Sequence, residues 1–299
     1  MVLSIDNGYG HNKVYVNGKV FKFPTSIEKL GITANGFSDD SNIISFNGER
    51  YLVAESATNP IITRNFEFLE KFTPLLIYYA IKRACVKFED ITEIRLGLSL
   101  VNLSNPLNKE RFISLFNREY IIDGQVIKFK NVKFSVQGVG IYNMFKKITK
   151  NTNESNVFVI DVGYNTLDAI SFINDKPNSK QSFANEKGIN LIVNQLKTYL
   201  SNRFGISNLS EQKVNEVLQT KTFKFRGENY DLSKEIKEIV NSYIEDIIYE
   251  IKTRAKDSFD FSDYIVFAGG GAYLLKDHID IQPNYVFLDK PEYGNVLGY

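Results

Sequence analysis

The chain repeats a short pattern at half its length. Leu3-Ser4-Ile5-Asp6-Asn7-Gly8-Tyr9 is echoed by Phe158-Val159-Ile160-Asp161-Val162-Gly163-Tyr164. In each copy an apolar strand delivers an aspartate, a glycine turn follows, and a strand returns. The copies are 155 residues apart, the difference between positions 161 and 6, in a chain of 299. One Asp-x-Gly turn is commonplace. Two that share Ile-Asp-x-Gly-Tyr, each opening a half of the chain, point to two related halves.

Such a hairpin has a definite chemistry. A glycine in a tight strand-to-strand turn lets backbone N–H groups approach an anion closely. An aspartate at the strand end can hold a hydrated Mg²⁺ or orient a water. Two such hairpins facing each other across a cleft would clamp a polyphosphate from both sides. Other nucleotide motifs are missing. There is no G-x-x-x-x-G-K-[ST]. Gly8-Tyr9-Gly10-His11-Asn12-Lys13 lacks the third glycine of G-x-G-x-x-G, and a strand rather than a helix is expected after it, which disfavours a Rossmann site.

Around the repeat, the pattern alternates strands with helices, which indicates an α/β fold. Strands are expected at 2–5, 11–16 and 19–23, the last two around Asn17-Gly18 and ended by Pro24. Residues 25–66 are mixed and polar, with strand-like pieces at 42–46 and 51–53. Further strands are expected at 93–100, 120–122, 126–136, 157–160, 167–173 and 264–268. Helical spacing covers 68–86, 109–116, 140–148, 189–204, 211–218 and 232–256. Two domains follow, 1–155 and 156–299, with smaller pieces at about 22–66 and 187–258.

Composition excludes several function classes. Lys and Arg total 36 against 35 Asp and Glu, so the basic excess of a nucleic-acid-coating protein is absent. One cysteine and two histidines rule out an internal disulfide and leave no Cys/His zinc site. The longest apolar run, 72–81, is far short of the roughly 20 residues of a membrane span. The start, MVLSIDNGYG, has no basic and apolar leader, so a cytoplasmic location is expected.

These residues resemble the actin/sugar-kinase/heat-shock-chaperone ATPase superfamily. Asp6 to Lys13 resembles its first phosphate loop, and Asp161-Val162-Gly163-Tyr164-Asn165-Thr166-Leu167-Asp168 its second. Val266 to Ala272, with Gly269-Gly270-Gly271, resembles its adenosine motif. Gln137-Gly138-Val139-Gly140 sits where its first connecting helix begins. Within the superfamily the ParM-type plasmid-segregation actins are the most similar, and small archaeal actin-like proteins come close. The Asp-x-Gly-x-x-Thr-Leu-Asp pattern and the closing Asn295-Val296-Leu297-Gly298-Tyr299 carry that likeness. The resemblance implies an actin-like ATPase fold: two related RNase H-like domains around a nucleotide cleft.

It also implies roles. Asp6 and Asp161 are expected to face Mg²⁺, largely through waters. Lys13 is expected to reach the β/γ phosphates of ATP or GTP. Gly8, Tyr9, Gly10 and Asn12 in the first loop, and Gly163, Tyr164, Asn165 and Thr166 in the second, are expected around the phosphates. Gly269, Gly270 and Gly271 are expected against ribose and adenine. Asp168 is either a second metal-facing carboxylate or a structural strand-end residue. Gln137 is expected to position the attacking water.

The function implied is a nucleotide-dependent filament that drives plasmid segregation. Its partners would be further copies of itself and a DNA-binding adaptor on a centromere-like site, with no direct DNA or membrane contact. Two alternatives share the fold: a small-molecule kinase, which would need a carboxylate base beside its substrate hydroxyl, and a non-polymerising scaffold or division protein.

Overall fold

The first repeat copy forms a hairpin of β1 (Val2–Asn7) and β2 (His11–Val16), continued by β3 (Lys19–Pro24). Asn17 and Gly18 link β2 to β3 with φ of 49° and 77°, the left-handed pair that suits a two-residue hairpin turn. The computed structural model describes residues 1–31, 43–61, 65–149 and 155–299. Positions 32–42 and 62–64, within the smaller piece expected at 22–66, lie outside the described residues, as do 150–154 beside the expected boundary.

Next come β4 (Ile27–Lys29), β5 (Ile43–Phe46), β6 (Glu49–Val53) and α1 (Phe66–Arg83). Asn65 caps α1 by accepting from Phe68 N at 3.0 Å. β7 (Glu93–Leu98) runs into α2 (Leu100–Ser104) and α3 (Pro106–Leu115), where Asn105 is the cap and Pro106 takes the first turn. β8 (Tyr120–Ile122), β9 (Gln125–Ile127), β10 (Val132–Val136) and α4 (Val139–Ile148) complete this half.

The second copy forms β11 (Val157–Val162) and β12 (Leu167–Ile173), followed by β13 (Lys176–Pro177) and β14 (Phe183–Asn185). Then come α5 (Asn190–Phe204), α6 (Glu211–Thr220), β15 (Thr222–Phe225), β16 (Glu228–Asp231), α7 (Ser233–Arg254) and α8 (Lys256–Phe261). β17 (Tyr264–Ala268), α9 (Ala272–His278), β18 (Tyr285–Phe287) and α10 (Gly294–Gly298) close the chain.

The chain forms two units, Met1–Lys150 with Glu292–Tyr299, and Asn151–Pro291. Each has its own apolar core. The main sheet of the first runs β10-β7-β1-β2-β3 and that of the second β18-β17-β11-β12-β13, with β14 also on β12. Order and sense agree strand for strand. The first three in sequence are antiparallel neighbours, and the last two add parallel to the central strand. The hairpin registers agree too: Asp6 opposes Lys13 as Asp161 opposes Asp168. β11 is buried along its whole length, as its unbroken apolar run requires of a strand covered on both faces.

Several boundaries differ from the sequence reading. Pro24 belongs to β3 rather than ending the hairpin before it, which an edge strand tolerates. The expected helix at 232–256 stops at Ala255, whose backbone leaves helical geometry, and α8 restarts after it. The strand expected over 126–136 is two, β9 and β10. A second sheet in the first unit, β4-β6-β5-β8-β9, adds 120–127 to the segment around 27–53. The β15–β16 hairpin lies in a stretch where no strand was expected. Glu292–Tyr299, expected with the second half, pack with the first.

Candidate functional site

In the first unit the expected residues converge on Asp6, at the end of β1. Its carboxylate is almost wholly buried. Lys13 Nζ lies 3.3 Å from Oδ2, and Gln137 Nε2 donates to Oδ1. Strand alternation explains the pairing with Lys13: residues directly opposite in an antiparallel hairpin put their side chains on one face. The same alternation turns Asn7 and Asn12 to the opposite face. Asn12 is fully buried and donates to Thr25 Oγ1 at 2.8 Å, so its side chain supports the loop from behind instead of facing a phosphate.

Gln137 follows β10, and its N–H donates to Leu98 O at the end of β7. A carboxylate only accepts, so the Gln137 amide must turn its nitrogen to Asp6. Its carbonyl Oε1 is thereby the end that does not face Asp6.

In the first loop the Gly8 N–H donates to Asp6 O at 3.1 Å, and two carbonyls are tied back. The Gly8 and Gly10 carbonyls are both taken by Thr25, through its hydroxyl and its N–H respectively. A Cβ on Gly8 would stand 2.7 Å from His11 O and 3.3 Å from Lys13 Nζ, so only glycine brings the ammonium over this turn. The Tyr9 hydroxyl reaches Asn102 on α2 at 3.4 Å and anchors the loop.

The second unit repeats this construction with different parts. The carbonyls of Gly163, Tyr164 and Asn165 accept from the N–H groups of Ile189, Asn190 and Gly188 at 3.1, 2.8 and 3.1 Å. The start of α5 thus ties back three successive loop carbonyls. Tyr164 donates to Glu211 at the start of α6, and Gly163 N donates to Thr166 O. Asp161 and Asp168 are both buried and stand opposite each other. Lys13 therefore has an aspartate as its counterpart in the second hairpin.

The glycines after β17 divide in two. A Cβ at Gly269 would strike the Asp161 carboxylate, and one at Gly271 would strike Val162. Those two serve the packing of β17 against the second loop. A Cβ at Gly270 would meet no atom within 4 Å.

These features fit a magnesium nucleotide. Tied-back carbonyls and Lys13 suit a phosphate, and facing carboxylates suit a hydrated cation. No group of three or more His, Cys, Asp or Glu side chains that could hold a bare metal ion occurs among the described residues. Thr25 and the 188–190 turn carry no motif of their own, and sequence reasoning missed them. In the sequence only the glycine at 188 marks that turn, and a Cβ there would overlap the Tyr164 carbonyl. No helix among the described residues is long and apolar enough to cross a membrane.

Residues 4–140 match the family model of the actin-like proteins' N-terminal domain, and residues 159–281 that of the archaeal actin homologue MreB-like C-terminal region. Among solved structures the chain is similar to a non-polymerisable quadruple mutant of pCBH ParM, with TM-score 0.78 and 23% identity over 99% of this chain and 97% of that one. It is similar to Ta0583, an archaeal actin homologue, with TM-score 0.82 and 19% identity over 99% and 97%. A complex of Ta0583 with ADP matches with TM-score 0.79 and 18% identity over 100% and 97%. A 15-stranded ParM filament from Clostridium botulinum gives 0.79 and 22% over 99% and 97%. No curated protein sequence matches the chain.

Proposed function

This chain belongs to the actin-like ATPase superfamily and has its fold, and from that premise we propose that it is a nucleotide-driven, filament-forming ATPase or GTPase. The observation that carries this reading is the pair of hairpins in matching register, with Gln137 held on the aspartate of the first. Each of the two loops is a phosphate-binding loop in this reading. Lys13 neutralises phosphate charge, and the N–H groups of the two loops bind phosphate oxygens. Asp6, and Asp161 with Asp168 beside it, are the carboxylates that would accept hydrogen bonds from the waters of a bound Mg²⁺. When bound, Mg²⁺ would neutralise the developing phosphate charge. Gln137 accepts a hydrogen bond from the attacking water through Oε1 and aligns it. A glutamine is no strong base, so slow hydrolysis follows.

The likeness to a chain solved as a filament supports self-association. Near-balanced charge agrees with it, because strong net charge opposes self-assembly. The same balance favours DNA segregation through a DNA-binding adaptor over direct DNA contact. The test is phosphate release against protein concentration with ATP, GTP and ADP, followed together with light scattering. Release per molecule is expected to rise above a critical concentration along with scattering. Flat specific activity over about a hundredfold range, without scattering, overturns the filament reading.

A further inference from the structure

Gln137 is followed by Gly138, which takes φ +88° and caps α4 with no side chain of its own. The start of an α-helix leaves N–H groups without intrahelical partners. Here the Gly138 N–H donates to Asn295 Oδ1 at 2.8 Å, in a contact that is fully buried. The cap is therefore supplied from 157 residues away, by α10. The exchange is reciprocal. Asn143 Nδ2 of α4 donates to Gly298 O at 3.2 Å, and Lys147 Nζ to Leu297 O at 2.8 Å, so α4 in turn satisfies carbonyls at the end of α10. The two helices touch at glycine: a Cβ on Gly140 would strike Asn295, and one on Gly298 would strike the Gly140 backbone. The Tyr299 ring lies over Gly97 of β7 and Gly140 of α4.

We propose that Asn295 is a positioning residue for Gln137, acting through the N–H of Gly138. This inference rests on the function proposed above. Gln137 is held at three points: its N–H on Leu98 O, its side chain on Asp6, and its following peptide on Asn295. The first two fix where the residue starts and where its amide nitrogen ends. The third fixes the peptide plane between Gln137 and Gly138, and with it the direction in which Oε1 presents itself to a water. A glycine at 138 has wide conformational freedom. Among the described residues, the acceptor that holds that N–H is the Asn295 carbonyl.

The experiment compares Asn295→Ala, Asn295→Asp and Asn143→Ala in the full-length protein. Phosphate release is read per polymerised subunit at saturating nucleotide, beside the nucleotide KM and the thermal midpoint. Asn295→Ala is expected to lower kcat about 10- to 100-fold, as small misplacements of a catalytic group do, with KM within about twofold of wild type. Asn295→Asp retains an oxygen for the Gly138 N–H and is expected to restore most of kcat. Asn143→Ala breaks the same helix pair without touching Gly138 and is expected to move the thermal midpoint but not kcat. If Asn295→Ala does not fold, Asn295→Ser, too short to reach Gly138, takes its place with the same expected loss. Equal kcat losses in the position-295 and Asn143 variants, or no rescue by Asp, overturn the inference. A wild type that binds nucleotide and releases no phosphate overturns the proposed function, and this inference with it.

Discussion

Asp161 and Asp168 stand directly opposite each other across β11 and β12, at the register position where Asp6 opposes Lys13 across β1 and β2. One hairpin thus pairs a carboxylate with an ammonium, and its twin pairs a carboxylate with a carboxylate. The first arrangement suits a phosphate oxygen, and the second suits a cation. Like charges directly opposite in a hairpin are destabilising, by roughly 0.2–1 kcal/mol. Asp168→Asn is therefore expected to melt at or slightly above wild type without Mg²⁺, and to lose most of the Mg²⁺ dependence of nucleotide binding. A lower melting temperature with wild-type Mg²⁺ dependence would assign Asp168 to structure alone.

Gln137→Ala is expected to slow phosphate release about 10- to 1000-fold, equivalent to about 1.4 to 4 kcal/mol of barrier, and to leave nucleotide binding near wild type. Asp161→Ala is expected to keep the fold and lose most turnover, since positioning of metal and water supplies the rate. Single-turnover phosphate release and nucleotide titration check both. Wild-type rates in either variant remove that residue from the mechanism.

The loop glycines separate by what surrounds them. Gly188→Ala drives a methyl into the Tyr164 carbonyl, and Gly8→Ala drives one to 2.7 Å from His11 O. Both substitutions are expected to weaken nucleotide binding at least about tenfold, because the strained loop no longer aims its N–H groups. Gly270→Ala meets no atom of the protein within 4 Å. It is expected to leave the thermal midpoint unchanged and to weaken nucleotide binding by crowding the position expected for the nucleoside. Calorimetric titration beside thermal melts distinguishes the two behaviours.

Thr25→Val removes the hydroxyl that donates to Gly8 O and accepts from Asn12. Leaving buried partners unsatisfied costs about 1–3 kcal/mol. Lower stability together with weaker nucleotide binding is expected, measured by denaturant midpoint and titration. Loss of stability with unchanged binding would mean that the loop holds its shape without this residue.

Glu93 joins β7 to β10. Hydrogen bonds from Lys133 first, and then Arg95, hold its carboxyl at about 2 instead of the ordinary 4.5. A carboxyl depressed in the folded state contributes stability above about pH 4.5 and loses it as pH falls toward 2. Glu93→Gln is therefore expected to be less stable than wild type at pH 6, with the gap closing between pH 4.5 and 2. Denaturant midpoints at several pH values test this, and a constant gap contradicts it.

The parts legible in the sequence were those written in short-range pattern. Asp6-x-Gly8 and Asp161-x-Gly163 could be read because the strand, the acid and the turn are contiguous. Asn17-Gly18 could be read because a two-residue turn needs residues that accept positive φ. Thr25 could not, because nothing local distinguishes a threonine that caps a loop carbonyl from one on an edge strand. Asn12 shows a related difficulty. Its neighbours mark it as loop-proximal, but strand alternation, which becomes certain only once the register is known, turns its side chain inward.

By itself the sequence determined that the chain has two related halves, each opening on a strand, an acidic residue and a glycine turn, because these depend on local backbone preference and on burial of a contiguous apolar run. Only the tertiary structure decided which amides tie back the loop carbonyls, that Asp168 occupies the counterpart position of Lys13, and that Glu292–Tyr299 return to the first unit, where Asn295 caps Gly138. The Asn295–Gly138 contact joins residues 157 positions apart. Hydrogen bonds at that separation follow from how sheets and helices pack, and no window along the chain contains both partners.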